Sequence, residues 1–191
     1  MHSIILNNLI MKRINIFTAT VFALGICAFI PATKSFAQSS TKLTDPEIAS
    51  VAVVANQNDI SFATIAKTKS TNKDVLQFAQ TMATDHQSVI DQATALVKKL
   101  GVTPKDNAVS KKLLSDAGNT KKMLSSKSGD AFNKAYIDNE VSYHKAVITE
   151  VENVLIPDAT NKDLKDLLQK VLPILKTHLE HAEMLQKKFN T

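Results

Sequence analysis

The stretch that decides the fold is KDVLQFAQTMATDHQSVIDQATALVKKL, residues 73–100. Its apolar side chains recur every three or four residues, a spacing that places them on one face of an α-helix. Asn72 precedes the stretch as a cap, and Gly101 follows it as a stop. The pattern therefore predicts a helix over 73–100, with a histidine in the middle of its apolar face: Val75, Ala79, Met82, His86, Val89, Ala93, Leu96, Leu100.

Three further segments carry the same pattern. Thr44-Asp45-Pro46-Glu47 has the hydroxyl cap, the early proline and the glutamate three residues on that mark a helix start, so a helix is predicted from there to about Lys69. Another is predicted over about 130–155. Residues 157–161 then form a tight connection to a last helix, which Pro173 either kinks or breaks and restarts.

Residues 103–129 join the second and third of these helices and hold few large apolar side chains, so they predict a crossover that carries a short helix. Two helical hairpins joined by one long crossover have the connectivity of ferritin-like bundles, whereas an up-down-up-down bundle has three short loops. A chain of 191 residues suits a single core. The sequence thus predicts an all-α, ferritin-like four-helix bundle over residues 44–190.

The first 37 residues read as a secretory signal. Lys12 and Arg13 precede an apolar run, residues 14–30, and the segment closes on Ser35-Phe36-Ala37, a typical cleavage sequence. Met11 is an alternative start, and an uncleaved anchor is the alternative fate of the apolar run. Residues 38–43 are a polar leader into the bundle. We therefore expect a periplasmic or secreted protein, or one associated with the outer membrane, without a stable membrane span once the leader is cleaved.

Composition excludes several classes of function. The four glycines are too scattered to form a phosphate-binding loop of a nucleotide site. Cleavage after residue 37 removes the only cysteine and the only arginine, and leaves 20 lysines against 18 acidic residues. Nucleic-acid binding needs a concentrated basic surface and usually arginine, so no nucleic-acid partner is expected. Without cysteine, neither a disulfide nor thiol catalysis is available to the mature chain.

One polar residue interrupts the apolar face of each long helix: Asp59, His86, His144 and His178. Imidazoles and a carboxylate that converge in a bundle core are a typical ligand set for a transition metal such as Zn, Cu or Fe. Counting 1.5 Å per residue from each turn puts the four groups in one layer to within about a helical turn. Further candidate ligands are Glu140, one turn before His144, and His181, close to one turn after His178.

A structural role for the histidines is the alternative to the metal hypothesis, and two particular kinds of metal site can also be weighed. Histidines on an apolar face also occur as core residues that bond to carboxylates or the backbone, and Asp59 or Glu140 would serve. A ferritin-type di-iron site is disfavoured, because it needs Glu-x-x-His on two helices and the pair Glu140 and His144 has a different spacing. His181-x-x-Met184 and Met82 would suit copper, although methionine at helical spacing usually packs in a core. No catalytic residue is predicted.

Several segments together resemble a known family: 59-DISFATIA-66, 75-VLQFAQTM-82, Asp85-His86, 132-FNKAY-136 and 172-LPILKTHL-179. They are similar to the secreted bacterial proteins of domain of unknown function 4142, over about residues 44–188. The resemblance implies a ferritin-like helical bundle exported to the periplasm or outer membrane, and it implies no particular activity. Asp59 stands where the family usually has glutamate, and Tyr143 where it usually has aspartate.

The sequence as a whole favours an exported envelope protein that binds a transition-metal ion in a four-helix bundle. The alternative is a structural or interaction module whose buried histidines only stabilise the packing. Enzyme activity is not predicted, and neither the identity of the metal nor the oligomeric state follows from the sequence.

Overall fold

A computed structural model describes residues 42–190, and every regular element in this part of the chain is helical. The predicted all-α class is therefore confirmed. The predicted signal, residues 1–37, and most of the polar leader 38–43 lie outside the described residues. Five long helices, with no strand among residues 42–190, make up the fold: α1 (Asp45–Lys69), α2 (Lys73–Leu100), α3 (Ala108–Ser125), α4 (Gly129–Glu150) and α5 (Lys162–Phe189).

The predicted ends of the first two helices are confirmed, since local chemistry determines them. Thr44 donates its backbone N–H to a carboxylate oxygen of Glu47 at 3.0 Å, as expected for a helix start. The Asn72 side chain accepts from the backbone N–H groups at the start of α2. Gly101 follows α2 with φ +63°, a left-handed conformation that glycine adopts without strain.

The crossover is more regular than its sequence suggests, because α3 is an 18-residue helix rather than a short one. Asn107 caps it by accepting from the backbone N–H groups of Val109 and Ser110. α3 packs on α1 and also contacts α4. Only Ser110, Ala117 and Leu124 of α3 are buried. Because the other helices cover most of the core, α3 needs only this narrow face to pack against them.

The chain leaves α4 through a π-helical turn, Val151–Leu155, and a last helical segment, Ile156–Asp158. The connection to α5 is therefore shorter than predicted, and Pro157 lies inside the helix end rather than in the loop. The Asp45 carboxylate closes this end by accepting from the backbone N–H groups of Thr160 and Asn161 at 2.9 and 3.0 Å.

α5 is continuous through Pro173, so of the two predicted alternatives, a kink or a break, the break is wrong. A proline removes one helical N–H and frees one carbonyl of the preceding turn. Pro173 lies on the exposed side of α5, where water can bond to that carbonyl. The helix therefore tolerates it.

α1 packs along α2 and α4 along α5, while α2 also contacts α5 and α1 contacts α4. Their buried side chains form two clusters. The cluster that we call the aromatic half is built around Phe62, Phe78, Phe132 and Tyr136. The aliphatic half contains, among others, Ile48, Val51, Val89, Ile148, Val151, Leu155, Leu164, Leu168, Val171 and Leu175. None of the helices within residues 42–190 is both long and apolar enough to cross a bilayer.

Candidate metal centre

A layer of polar side chains separates the aromatic half from the aliphatic half. α1 contributes Asp59, α2 His86, α4 both Glu140 and His144, and α5 His178. All five residues are buried, with exposed fractions of 0 to 4%. The structure therefore brings together the four residues that the sequence pattern selected, and Glu140 joins them. The matching register of four apolar faces produces this convergence.

The three imidazoles face one another across the middle of the helices. Their ring centroids lie 5.3 to 5.7 Å apart, and each ring can offer a nitrogen within 4.8 Å of those of the other two. Asp59 Oδ2 lies 3.4 Å from His86 Nε2 and 3.7 Å from His144 Nε2. Asp59, Glu140 and His144 form a second group of ligand atoms within 4.8 Å, so His144 is common to both.

Each ring has an inner nitrogen, on the side of the other polar groups of the layer, and an outer nitrogen on its far side. The outer nitrogen of His86, Nδ1, is held by Asn56 on α1. Asn56 Nδ2 donates to the carbonyl of Ala52 at 2.7 Å, which leaves its amide oxygen as the acceptor for His86 Nδ1 at 2.7 Å. Because an amide oxygen only accepts, His86 carries its hydrogen on Nδ1. Its Nε2 is then a bare lone pair on the side of Asp59.

The other two histidines are fixed in the same way. His144 Nδ1 donates to the backbone carbonyl of Glu140 at 3.0 Å. His178 Nε2 donates to Asp85 Oδ2 at 2.9 Å, across the contact between α5 and α2. Each outer nitrogen thus carries a hydrogen that a fixed acceptor receives. An N–H held in this way orients the ring and raises the basicity of the other nitrogen, as it does for histidines that bind metals.

The inner atoms of the layer have no hydrogen-bond partner within residues 42–190. All of them are acceptors in these tautomers, and buried polar atoms in native proteins are rarely left unpaired. The two carboxyl groups and the buried Tyr136 hydroxyl, which also has no partner, could supply at most three hydrogens, too few to pair with every one of these acceptors. The unpartnered atoms are His86 Nε2, His144 Nε2, His178 Nδ1, both Asp59 carboxyl oxygens and Glu140 Oε2.

Burial controls the ionisation of these groups. It lowers the pKa of His86 to about 3 and that of His144 to about 4, so both rings are neutral at pH 7 and can act as ligands. Burial also raises the pKa of Asp59, against the opposing influence of His144 and His178. The pKa of Glu140 is raised well above its usual value by burial and then by Asp59. A cation in the layer would favour both carboxylates and leave the imidazoles neutral.

The donor set and its spacing fit a transition metal. Ligand atoms about 2.0–2.1 Å from a tetrahedral metal lie about 3.3 Å from one another. Asp59 Oδ2 is already 3.4 and 3.7 Å from two of the ring nitrogens. Ring nitrogens 4.8 Å apart would each move inward by about 1 Å or less to reach that geometry.

The remaining candidates lie outside the layer. His181 packs edge-on against Phe78, with ring centroids 5.1 Å apart, and belongs to neither group of ligand atoms among residues 42–190. Met184 is exposed, and Met82 is buried in the aromatic half. The sequence pair His181-x-x-Met184 therefore does not join the polar layer.

Sequence reasoning missed two of the residues that orient the rings. Asn56 precedes Asp59 by three positions, so it lies on the same face of α1, and this spacing was the available signal. Asp85 is next to His86 in sequence and therefore cannot face it on a helix. That same offset turns Asp85 toward α5 and His178, a contact that only the packing of α2 on α5 reveals.

A comparison with protein-family models gives one family. The model described as "Domain of unknown function (DUF4142)" matches residues 31–185. No curated protein and no solved structure matches the chain. The resemblance seen in the sequence is thus confirmed at the level of the family, since the match covers most of the chain. The chain belongs to the family of the domain of unknown function DUF4142.

Proposed function

We propose that this protein binds one first-row transition-metal ion in its polar layer, through His86, His144, His178 and Asp59, with Glu140 beside them. A single observation carries the proposal. The three outer ring nitrogens all donate to fixed acceptors, and the three inner ring nitrogens all present unpartnered lone pairs to one another. A network built only for packing would pair inner hydrogens with inner acceptors instead.

The donor set narrows the class of metal. Three imidazoles and a carboxylate suit Zn, Cu and Fe, whereas Mg and Ca prefer ligand sets made of oxygen. Affinity for such a site rises along the first row to Cu and then falls at Zn. We therefore expect Cu(II) to bind most tightly in the test tube.

The proposal includes the arrangement of the helices and the compartment. The pairing of α1 with α2 and of α4 with α5, with α3 crossing between the pairs, supports a ferritin-like four-helix bundle. The basic residues, apolar run and cleavage sequence in residues 1–37 support export to the periplasm or beyond. A metal-binding protein of the cell envelope is the function that combines these features.

Metal titration of the protein, first treated with a chelator, tests the function. Wild type should bind one equivalent of Zn(II) or Cu(II) by calorimetry, and its melting temperature should rise with added metal. The His86→Ala variant should lose stoichiometric binding and the shift while remaining helical by circular dichroism. His181→Ala is the matched control, because it removes a histidine outside the layer, and it should bind as wild type does.

The alternative function makes the opposite prediction. If the histidines only stabilise packing, the melting temperature of wild type will not respond to Zn, Cu, Fe, Ni or Mn. His86→Ala would then lower stability without metal, because it leaves a cavity and an unpaired Asn56 oxygen. This result would reject metal binding and support a structural or interaction module.

A further inference from the structure

The aliphatic half contains a cavity that the metal hypothesis does not use. The centre of a water-sized sphere can move through about 60 Å³ of it, and most of its wall consists of Ala, Val and Leu side chains, with Asn56, Tyr143 and Glu150 also lining it. One end reaches Asp59, His86 and His144 in the polar layer. The aromatic half is built from larger side chains, among them the rings of Phe62, Phe78, Phe132 and Tyr136.

The cavity is long and narrow. Its wall runs along α1 from Ala49 to Asp59 and along α2 from His86 to Val97. Each stretch spans about 15 Å at the rise of an α-helix. Spread over that length, about 60 Å³ for the centre of a sphere of 1.4 Å radius corresponds to a channel roughly 2.5 Å in radius.

This width selects one shape of ligand. Carbon atoms in contact lie about 3.5–4.0 Å apart, so an extended hydrocarbon chain has a half-thickness of about 2 Å. An aromatic ring is wider than the channel in its own plane. With carbon–carbon bonds of about 1.5 Å, an extended chain of about ten to twelve carbons fills the length.

The outer end of the channel lies next to a shallow surface groove between α2 and α5. Leu96 and Leu167 line both the channel and this groove, which also contains Lys99, Asp163 and Lys170. Lys99 Nζ and Asp163 Oδ2, 2.7 Å apart, form an ion pair across this groove. A charged head group would meet polar side chains and water there, whereas at the inner end it would meet the acidic Asp59.

The π-helical turn lies in the wall of the channel. Val151 and Leu155, the first and last residues of that turn, both line it. Such turns occur as single insertions in α-helices and are frequent at functional sites. The irregular turn that follows α4 thus lies beside the part of the core that is not filled.

We propose that the aliphatic half is a binding site for a single unbranched acyl or alkyl chain, as in a medium-chain fatty acid. Its methyl end lies toward the polar layer and its head group lies at the groove between α2 and α5. This inference does not rest on the proposed metal function, because most of the channel wall is aliphatic and only its inner end borders the candidate metal ligands.

Calorimetric titration with saturated fatty acids of eight to sixteen carbons, each below its micelle concentration, tests the length of the channel. Burial of each added methylene should raise the affinity about threefold to fourfold. The increase should stop near twelve carbons, where the chain fills the channel. A steady increase through sixteen carbons, equal affinity for a phenyl-terminated acid, or no binding at any length would overturn the proposal.

Filling the channel provides the matched test. Ala93 is buried on the channel wall, so Ala93→Leu should reduce the affinity for the twelve-carbon acid at least tenfold. Ala146 is exposed on α4 outside the channel, so Ala146→Leu should leave that affinity unchanged. If Ala93→Leu folds and binds as wild type does, the channel is not the site.

The metal site and the channel can fail independently. His178→Ala should abolish metal binding and keep the dependence on chain length, because His178 belongs to the group of metal-ligand candidates and is not among the residues that line the channel. A variant that loses both in a folded protein would mean that acyl binding requires the metal site, which contradicts the inference. If Ala93→Leu does not fold, the chain-length series on wild type still decides the question.

Discussion

The two halves of the core start from the same sequence pattern and end with different packing. In the aromatic half, Phe78, Phe132 and Tyr136 are completely buried and their rings contact one another, with centroids 6.2 Å apart. In the aliphatic half, Val89, Val171 and most of their neighbours keep a few per cent of exposure around an unfilled channel. The difference teaches that a regular apolar stripe specifies a helix but not a solid core. Ring side chains close one half, and small aliphatic ones leave the other open.

The largest expected difference between the halves is in the cost of truncating a core side chain. Phe78→Ala should lower the free energy of unfolding by about 3–5 kcal/mol, because its completely buried ring leaves a cavity that the tight packing cannot refill. Leu168→Ala in the aliphatic half should cost about 2–3 kcal/mol, the low end for this change, because its neighbours already border empty space. Urea denaturation measures both values. Equal losses would show that the halves are packed alike.

Acidification should change the free energy of unfolding through the polar layer between the two halves. In metal-free protein, the lowered pKa values of His86 and His144 mean that the unfolded chain binds more protons as the pH falls below about 6.5. Each histidine then costs about 1.4 kcal/mol of stability by pH 5.5. The raised pKa values of Glu140 and Asp59 act in the opposite direction, because folding takes up a proton at each carboxyl group between its unfolded pKa and its raised folded pKa.

The Glu140→Gln variant separates these opposing contributions. By urea denaturation with a chelator present, it should lose more stability than wild type between pH 7.5 and 5.5, up to about 2–3 kcal/mol, since the raised pKa of Asp59 still opposes part of the loss. Wild type and variant with the same pH dependence would indicate that Glu140 is ionised in the folded protein, and stability independent of pH in both would indicate exposed histidines.

A smaller effect is expected from the acceptor that orients His86. Asn56→Ala removes the partner of the outer nitrogen without touching the ligating atoms, so metal affinity should fall about 10- to 100-fold. Asn56→Asp keeps an oxygen that accepts from His86 and should recover most of that affinity. Calorimetric titration with Zn(II) measures both variants. If Asn56→Ala binds Zn(II) as tightly as wild type, this hydrogen bond does not position the ring.

The smallest expected loss of stability concerns two glycines at helix ends, where side-chain packing plays no part. Gly101 and Gly129 have φ values of +63° and +55°, and a Cβ at either position would meet no atom within 4 Å. Alanine at each should therefore cost about 1–2 kcal/mol through backbone strain alone, with no contribution from packing. Thermal unfolding should give similar losses for the two variants. Clearly unequal losses would mean that the surroundings of the two turns, and not the backbone, set the cost.

Much of the fold could be predicted from the sequence, because its determinants are local. The Asn72 cap, the Gly101 stop and the periodic apolar residues between them define α2 to the residue. The length of α3 could not be predicted from its apolar pattern, because only Ser110, Ala117 and Leu124 of this helix are buried against the other helices. The π turn could not be predicted either, because no single residue in Val151–Leu155 is specific to such a turn.

The candidate site also contains some residues that the sequence revealed and others that only the structure revealed. Asp59, His86, His144 and His178 were visible because each interrupts an apolar face. Asp85 was not, since its partner His178 lies 93 positions away in sequence and the contact depends on which helices are neighbours. The orientation of the rings, on which the metal hypothesis depends, is therefore a result of the three-dimensional structure.

The three outer N–H groups do not share one environment, and this has a consequence for spectroscopy. The acceptor of His178 is Asp85, whose side chain is 41% exposed, whereas the acceptors of His86 and His144 are buried in the protein. Water can therefore reach the His178 hydrogen bond without opening the bundle. In a nuclear magnetic resonance spectrum, the ring hydrogen of His178 should exchange with solvent fastest, while those of His86 and His144 persist until the helices separate.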